Sequence, residues 1–230
     1  YESVAVGLIH SYLNPAQERM VRDVLLARIP KLSVSISSEV SPQMREYERF
    51  NTVVANAYVK PMMKRYLADL ARKLSAEGAE CPIFLMHSGG GIISLEAAAE
   101  FPVRLVESGP AGGAIYAAHF AARFGLDRVL SFDMGGTTAK ICLIKGHTPK
   151  TSRVFEVARS YRFKKGSGMP ISIPVIDMVE IGAGGGSLAH VDSMRQIRVG
   201  QRFYIDAQQA AAIEEQFGFL ERIQRGQPQA

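Results

Sequence analysis

The sequence predicts an α/β protein in two parts. Three observations carry that reading: strand and helix patterns alternate through residues 1–125, strands follow one another from residue 126 onward, and glycine-rich turns stand directly after strand ends. A length of 230 residues is enough to bury a core and suits one large domain or parts of two.

Residues 3–9 read as a buried strand. Asn14 then caps a helix, with Pro15 at its first position and Gln17 three residues beyond the cap. Met20, Val21, Val24, Leu25 and Ile29 fall on one face of that helix, the stripe a helix turns toward a core, and Pro30 ends it. Residues 32–37 give the next strand. From 42 to about 75 the composition is helical with Pro61 inside, which predicts one kinked helix or two consecutive ones. A short strand over 83–86 leads into Ser88-Gly89-Gly90-Gly91, a short helix follows, and residues 103–106 read as another strand. Gly109-Pro110-Ala111-Gly112-Gly113 opens an Ala-rich helix that ends near Phe124. Past a break at 125–128, strands are expected over 129–133, 139–145, 153–158 and 171–179, with a helical pattern returning over 203–223. The chain thus divides into residues 1–125 and 126–230.

Composition excludes several classes. Apolar residues make up 47% and charged residues 21%, the balance of a folded chain and not of a disordered one. No stretch reaches the roughly 20 apolar residues of a membrane helix, and the start lacks both an initiator Met and a signal-peptide pattern, as in the middle of a longer protein. The net charge of +5 is spread along the chain without aromatic interleaving, so solvated helix faces explain it better than a nucleic-acid surface. Cys81 and Cys142 fit reduced, buried thiols of a cytoplasmic protein and are too few for a zinc cage.

Four glycine-rich turns are the places where chemistry is expected. In Ser131-Phe132-Asp133-Met134-Gly135-Gly136-Thr137-Thr138 a strand delivers an Asp, two glycines turn, and two hydroxyls follow. Glycines let backbone N–H groups approach a phosphate, Thr hydroxyls add donors, and the Asp can hold Mg²⁺ through water. A hairpin whose Gly-Gly serves only the turn has the same pattern. Ile181-Gly182-Ala183-Gly184-Gly185-Gly186-Ser187 holds four glycines in five residues with apolar sequence on both sides, which favours a ligand or a very close backbone crossing over a plain surface loop. The start of the Ala-rich helix, with Gly112 and Gly113, suits either an anion or tight helix packing. Ser88 to Gly91 is a weaker turn of the same kind.

Other chemistries fail on pattern. There is no P-loop and no Gly-x-Ser-x-Gly elbow, and the residues after Gly186 read as a strand where a dinucleotide fold needs a helix. The histidines are scattered; His10 and His87 end apparent strands, with a structural role favoured for each. Asp177 and Glu180, at i, i+3 on a strand, fall on opposite faces.

Taken in order, these motifs resemble one family. Ser11-Tyr12-Leu13-Asn14-Pro15, Ser38-Glu39-Val40-Ser41-Pro42, Arg45-Glu46-Tyr47-Glu48-Arg49 and Asn56-Ala57-Tyr58-Val59-Lys60-Pro61 precede the turns at 108–113, 132–138 and 182–187, an order similar to that of the hydantoinase A / oxoprolinase family. The resemblance implies an actin-like ATPase fold of the sugar kinase, Hsp70 and actin type, ribonuclease H-like, of which this chain is a fragment. It implies ATP and Mg²⁺ as cofactors. Asp133 and Thr137 are then the expected catalytic residues, and Asp133 and Asp177 the metal residues. Gly135, Gly136, Thr137, Thr138, Gly184, Gly185, Gly186, Ser187, Gly112 and Gly113 are expected around the nucleotide. Such enzymes activate a carbonyl oxygen with ATP, then hydrolyse a cyclic amide or carboxylate a ketone, commonly with a B-type partner subunit. A non-catalytic actin-like regulator is a further alternative. The family's first phosphate loop lies N-terminal to this segment, so the segment alone is not expected to turn over ATP. Lys140 stands where many relatives have Asp.

Overall fold

The structure, a computed structural model, describes residues 1–161, 166–191 and 194–201; the helix expected at 203–223 lies outside them. The fold is α/β with mixed sheets. Contacts divide it into two compact units, Tyr1–Asp133 with Lys140–Val179, and Met134–Ala139 with the segment from Glu180 onward.

The first unit opens as the sequence leads one to expect. β1 (Ser3–Val6) and β2 (Ser33–Ile36) pair in parallel through the crossover helix α1 (Ala16–Arg28). Val6, Leu32, Val34 and Ile36 form the core beneath, with Leu25 and Leu26 of α1 packed on it. The helix sits one register round from expectation. Met20, Val24 and Ile29 are exposed, and the residue α1 buries completely is Glu18. Its N-cap position is Pro15, and Asn14 contributes by accepting the Ala16 N–H at 3.1 Å.

After the short helix α2 (Ser37–Val40) comes α3 (Glu46–Ala76), one helix running through Pro61. It packs on β1, β2 and the segments Leu95–Glu100, Pro102–Leu105 and Met169–Ile171, which makes it the spine of the unit. β3 (Phe84–Met86) and β4 (Ile92–Ser94) are an antiparallel hairpin around the Ser88–Gly91 turn. α4 (Leu95–Glu100) is capped by Ser94, whose Oγ accepts the Ala97 N–H. The strand expected over 103–106 is instead a 3-10 turn, Pro102–Leu105. Pro102 fixes a helical φ at its start, and Asn56 Oδ1 captures the Val103 N–H at 3.3 Å, so a strand ladder loses a donor there.

α5 (Ser108–Arg123) buries Ala111, Ala114, Ala118 and Ala121, and its alanines pack with Cys142, Ile144 and Ile176. β5 (Arg128–Met134), β6 (Ala139–Lys145) and β12 (Met178–Ile181) form a sheet in the order β12-β6-β5, with β7 (Thr148–Pro149) also on β6. The single strands expected at 153–158 and 171–179 are broken up. β8 (Thr151–Ser152) pairs with β11 (Val175–Ile176), and β9 (Phe155–Val157) with β10 (Met169–Ile171). Pro170 and Pro174 have no N–H to give a long ladder, which accounts for the division. Ile171, Ile173 and Val175 still reach one core with Val40, Val53 and Val103. Of the two thiols, Cys142 is buried as expected and Cys81 is exposed.

The described part of the second unit holds the 134–139 turn and the antiparallel hairpin β13 (Ser187–Val191) and β14 (Ile197–Gln201).

Candidate functional site

In the second unit the two longest glycine motifs meet backbone on backbone. The Gly135 N–H donates to the Thr138 carbonyl at 2.9 Å and closes the first turn. The Gly185 N–H donates to the Gly135 carbonyl and the Gly186 N–H to the Gly136 carbonyl, each at 2.9 Å. Gly184 is buried in the crossing, where a Cβ would stand 2.5 Å from the Gly135 oxygen and 2.7 Å from the Gly136 carbonyl carbon. No side chain fits there. Ser187 locks the loop on itself, its N–H donating to the Gly184 carbonyl at 2.9 Å and its Oγ accepting the Gly184 N–H at 3.0 Å. The close crossing, one of the two explanations open for this glycine density, is therefore present.

This pairing orients the turn. In a planar trans peptide the N–H points opposite to the carbonyl of the preceding residue, and the chain has no cis bond among its described residues. With the Gly135 and Gly136 carbonyls aimed at the 184–186 loop, the Gly136 and Thr137 N–H groups point away from it. Neither N–H has a partner among the described residues, and the Thr137 and Thr138 hydroxyls make no hydrogen bond there. Gly135, Gly136 and Thr137 are exposed, and a Cβ on Gly136 would meet nothing within 4 Å. Two adjacent, parallel, unsatisfied N–H groups with two hydroxyls beside them are a donor set that fits a phosphate. The Gly185 and Gly186 N–H groups are committed to the turn they support.

Asp133, in β5, is exposed and has no ion pair among the described residues. Asp177 is engaged elsewhere in the first unit. Its carboxylate meets Lys150 Nζ at 2.6 Å and its N–H donates to the Lys150 carbonyl at 2.8 Å. The hydrogen bond that Lys150 donates to the Asp177 carboxylate, and then the Asp177 charge, hold the Lys150 ammonium above its ordinary pKa. Among the described residues no three His, Cys, Asp or Glu side chains converge as a metal cluster. Mg²⁺ takes one or two protein carboxylates and completes its shell with water and phosphate oxygens, so Asp133 alone fits that demand.

At the start of α5 the glycines lie on the open side. Gly109 and Gly113 are exposed with nothing within 4 Å of a built Cβ, and Gly112 would meet only the Met86 side chain at 3.7 Å. The helix packs through its alanines instead. Glu107, left-handed at φ 63°, is its N-cap residue, and Lys140 Nζ pairs with the Glu107 carboxylate. Lys140 thus has a defined place: it neutralises an acid beside a helix N-terminus.

The remaining family-like motifs serve the fold. Arg49 is buried completely and donates to the Leu8 and Gln43 carbonyls, both at 2.9 Å. Asn56 donates to Ser35 Oγ and to the Glu100 carbonyl, both at 3.1 Å. Lys60 Nζ donates to the Val34 carbonyl at 3.0 Å and pairs with Glu100. His10 is exposed, and His87 lies beside the Ser88–Gly91 turn.

The hydantoinase/oxoprolinase family profile matches residues 49–210. An uncharacterised protein of Methanocaldococcus jannaschii is 40% identical over 203 residues, 87% of this chain and 30% of its own length. The caprolactamase of Pseudomonas jessenii is similar twice over. Its alpha subunit is 35% identical over 201 residues, 87% of this chain and 28% of the subunit. The crystal structure of this ATP-dependent caprolactamase matches with a TM-score of 0.66 and 32% identity over 87% of this chain and 28% of that one. A nucleotide-free acetone carboxylase, solved in work on ATP-dependent acetone carboxylation, gives a TM-score of 0.69 at 28% identity, over 86% of this chain and 27% of that one. The chain spans only 30% and 28% of the length of the Methanocaldococcus jannaschii protein and the caprolactamase alpha subunit. By profile, by sequence and by fold, this chain belongs to the hydantoinase/oxoprolinase family.

Proposed function

We propose that this chain carries the second phosphate loop of an actin-like nucleotide domain in an ATP-dependent enzyme that opens cyclic amides. Residues 1–125 are then the C-terminal part of the first lobe with its connecting helices, and residues 126–230 begin the second lobe. The observation that carries the reading is the pair of outward, unpartnered N–H groups at Gly136 and Thr137. They are held in that direction by the bonds from Gly185 and Gly186.

Bound ATP would supply the phosphoryl group that makes an amide carbonyl oxygen a leaving group, and Mg²⁺ would neutralise the phosphates. Phosphoryl transfer asks the protein for positioning and charge compensation more than for a nucleophile. Gly135, Gly136, Thr137 and Thr138 serve that end as donors, with the Thr137 hydroxyl aligning the transferred group and Asp133 holding the metal through water. Gly184, Gly185, Gly186 and Ser187 brace the turn and border the nucleotide, and Gly112 and Gly113 at the start of α5 are further candidates to contact it. Asp177 belongs to the metal shell only if Lys150 releases it. The relatives support ATP as the co-substrate, since both the caprolactamase and the acetone carboxylation are named ATP-dependent. Both are also multi-subunit by name, which supports a B-type partner. Among the described residues no helix is long and apolar enough to cross a membrane. The two free cysteines support a cytoplasmic enzyme.

The second reading, a ketone carboxylase, is favoured by the fold match to acetone carboxylase. Turnover of the full-length protein with its partner separates the two. ADP release driven by a lactam or hydantoin without bicarbonate supports hydrolysis. ADP release driven by acetone or acetophenone only with bicarbonate overturns it in favour of carboxylation.

A further inference from the structure

The first unit contains a cavity of about 410 Å³ that none of the nucleotide motifs touches. Its polar lining is one of donors. Arg104 lines it with its guanidinium over the Phe101 ring at 4.8 Å and no carboxylate partner among the described residues. Among the described residues the cavity wall contains no Asp or Glu. His87 lines it too, and its Nδ1 accepts the Gly89 N–H at 3.0 Å, so in the neutral ring the proton sits on Nε2, a donor with no acceptor among the described residues. Burial, and then the Arg104 charge, hold the His87 pKa below its ordinary value, which keeps that neutral form at pH 7. Gln43 Oε1 accepts from Ser172 Oγ at 2.8 Å, which leaves its NH₂ as the unpartnered end.

Two glycines of the Ser88–Gly91 turn border the His87 ring. A Cβ on Gly91 would stand 2.6 Å from His87 Nε2, and one on Gly89 would stand 2.9 Å from His87 Cε1. The two glycines make room for the ring, and the sequence motif acquires a purpose separate from phosphate binding. Ile92, Ile93 and Ile173 supply apolar lining beside these donors. A guanidinium whose donors lack acceptors is costly in a half-buried site unless an anion meets it, and its planar fork matches a carboxylate.

We propose that this cavity binds a small aliphatic carboxylate, its oxygens on Arg104, His87 and Gln43 and its hydrocarbon against the isoleucines. The site is independent of the nucleotide reading and stands or falls without it. The probe is hexanoate, titrated by calorimetry into the full-length protein, with hexanamide and inorganic phosphate as comparisons. Hexanoate should bind at least tenfold more tightly than hexanamide. Arg104→Gln should weaken it at least tenfold. Gln43→Glu, which places a carboxylate at an exposed position, should do the same with an unchanged melting temperature, and so tests the site even if Arg104→Gln unfolds. Absence of hexanoate binding, equal binding of hexanamide, or phosphate binding more tightly than hexanoate would each overturn the proposal. Undiminished hexanoate binding in Gln43→Glu would as well.

Discussion

Glu18 and Arg49, both fully buried, are joined through one hydroxyl: Ser37 Oγ donates to Glu18 Oε1 at 2.6 Å and accepts from Arg49 Nε at 3.1 Å. Glu18 also accepts the Leu8 N–H at 2.8 Å and the Ser38 N–H at 2.9 Å. One buried acid and one buried base thereby tie α1, α2, α3 and the chain after β1 into a single polar knot. Arg49 is the side chain whose loss should hurt most. Arg49→Lys keeps the charge and loses the fork that reaches Leu8, Gln43 and Ser37 together. Breaking one partner of a buried charged network costs roughly 3–5 kcal/mol. Urea unfolding should show Arg49→Lys losing most of what Arg49→Met loses; a near-neutral Arg49→Lys would refute the role given to the fork.

The same knot sets a pH dependence. Burial by itself would raise the Glu18 pKa, but the hydrogen bonds from Ser37, Ser38 and Leu8 outweigh it and the net shift is downward from 4.5. A depressed folded pKa contributes stability that is whole above the unfolded value and is lost as pH falls through the folded one. Stability should therefore decline below pH 4.5, and Glu18→Gln should flatten that limb while being less stable at pH 7. Equal acid slopes for wild type and Glu18→Gln would show that Glu18 does not drive the decline.

Gly184 and Gly185 are neighbours with opposite tolerance. A Cβ at Gly184 meets the Gly135 oxygen at 2.5 Å, whereas one at Gly185 meets it at 3.8 Å, and neither residue has a positive φ. Gly184→Ala must part the two loops, at a cost of roughly 2–4 kcal/mol, and should abolish nucleotide binding. Gly185→Ala should leave the crossing intact and change stability by no more than about 0.5 kcal/mol. Thermal unfolding and nucleotide titration of the two variants check the contrast, and it fails if Gly184→Ala behaves like Gly185→Ala.

Lys140 and Glu107 make a testable pair, since their side chains are only 15% and 23% exposed. Lys140→Asp sets two carboxylates against each other and should cost about 2 kcal/mol. Adding Glu107→Gln should recover about half of that in a double-mutant cycle. Full additivity of the two substitutions would mean that the pair is not coupled.

Much of this was legible in the residues, and the misses have physical causes. The strands β1 and β2 with the helix between them, α5 and the two strands either side of Gly135-Gly136 follow from periodicity and turn chemistry, which are local. The segment at 103–106 misled because a short apolar run has no period of its own, and its outcome was decided by Asn56, 47 residues away in sequence. The buried face of α1 misled because Glu18 has its partners on Leu8, Ser37 and Ser38, which a helical wheel cannot show. The glycine density at 182–186 announced a crossing or a ligand without saying which, since either needs the absence of a Cβ. Arg104 went unnoticed in the sequence. A lone Arg in an apolar run carries no motif, and only the fold reveals that its cavity holds no acid.

The most direct test is ATP–Mg²⁺ binding to the full-length protein by calorimetry, with Asp133→Asn and Thr137→Val beside the wild type. If the 133–138 turn holds the phosphates, the wild type binds and each variant binds at least tenfold more weakly without a change in melting temperature. No binding by the wild type, or undiminished binding by both variants, would contradict the assignment of this turn to the nucleotide.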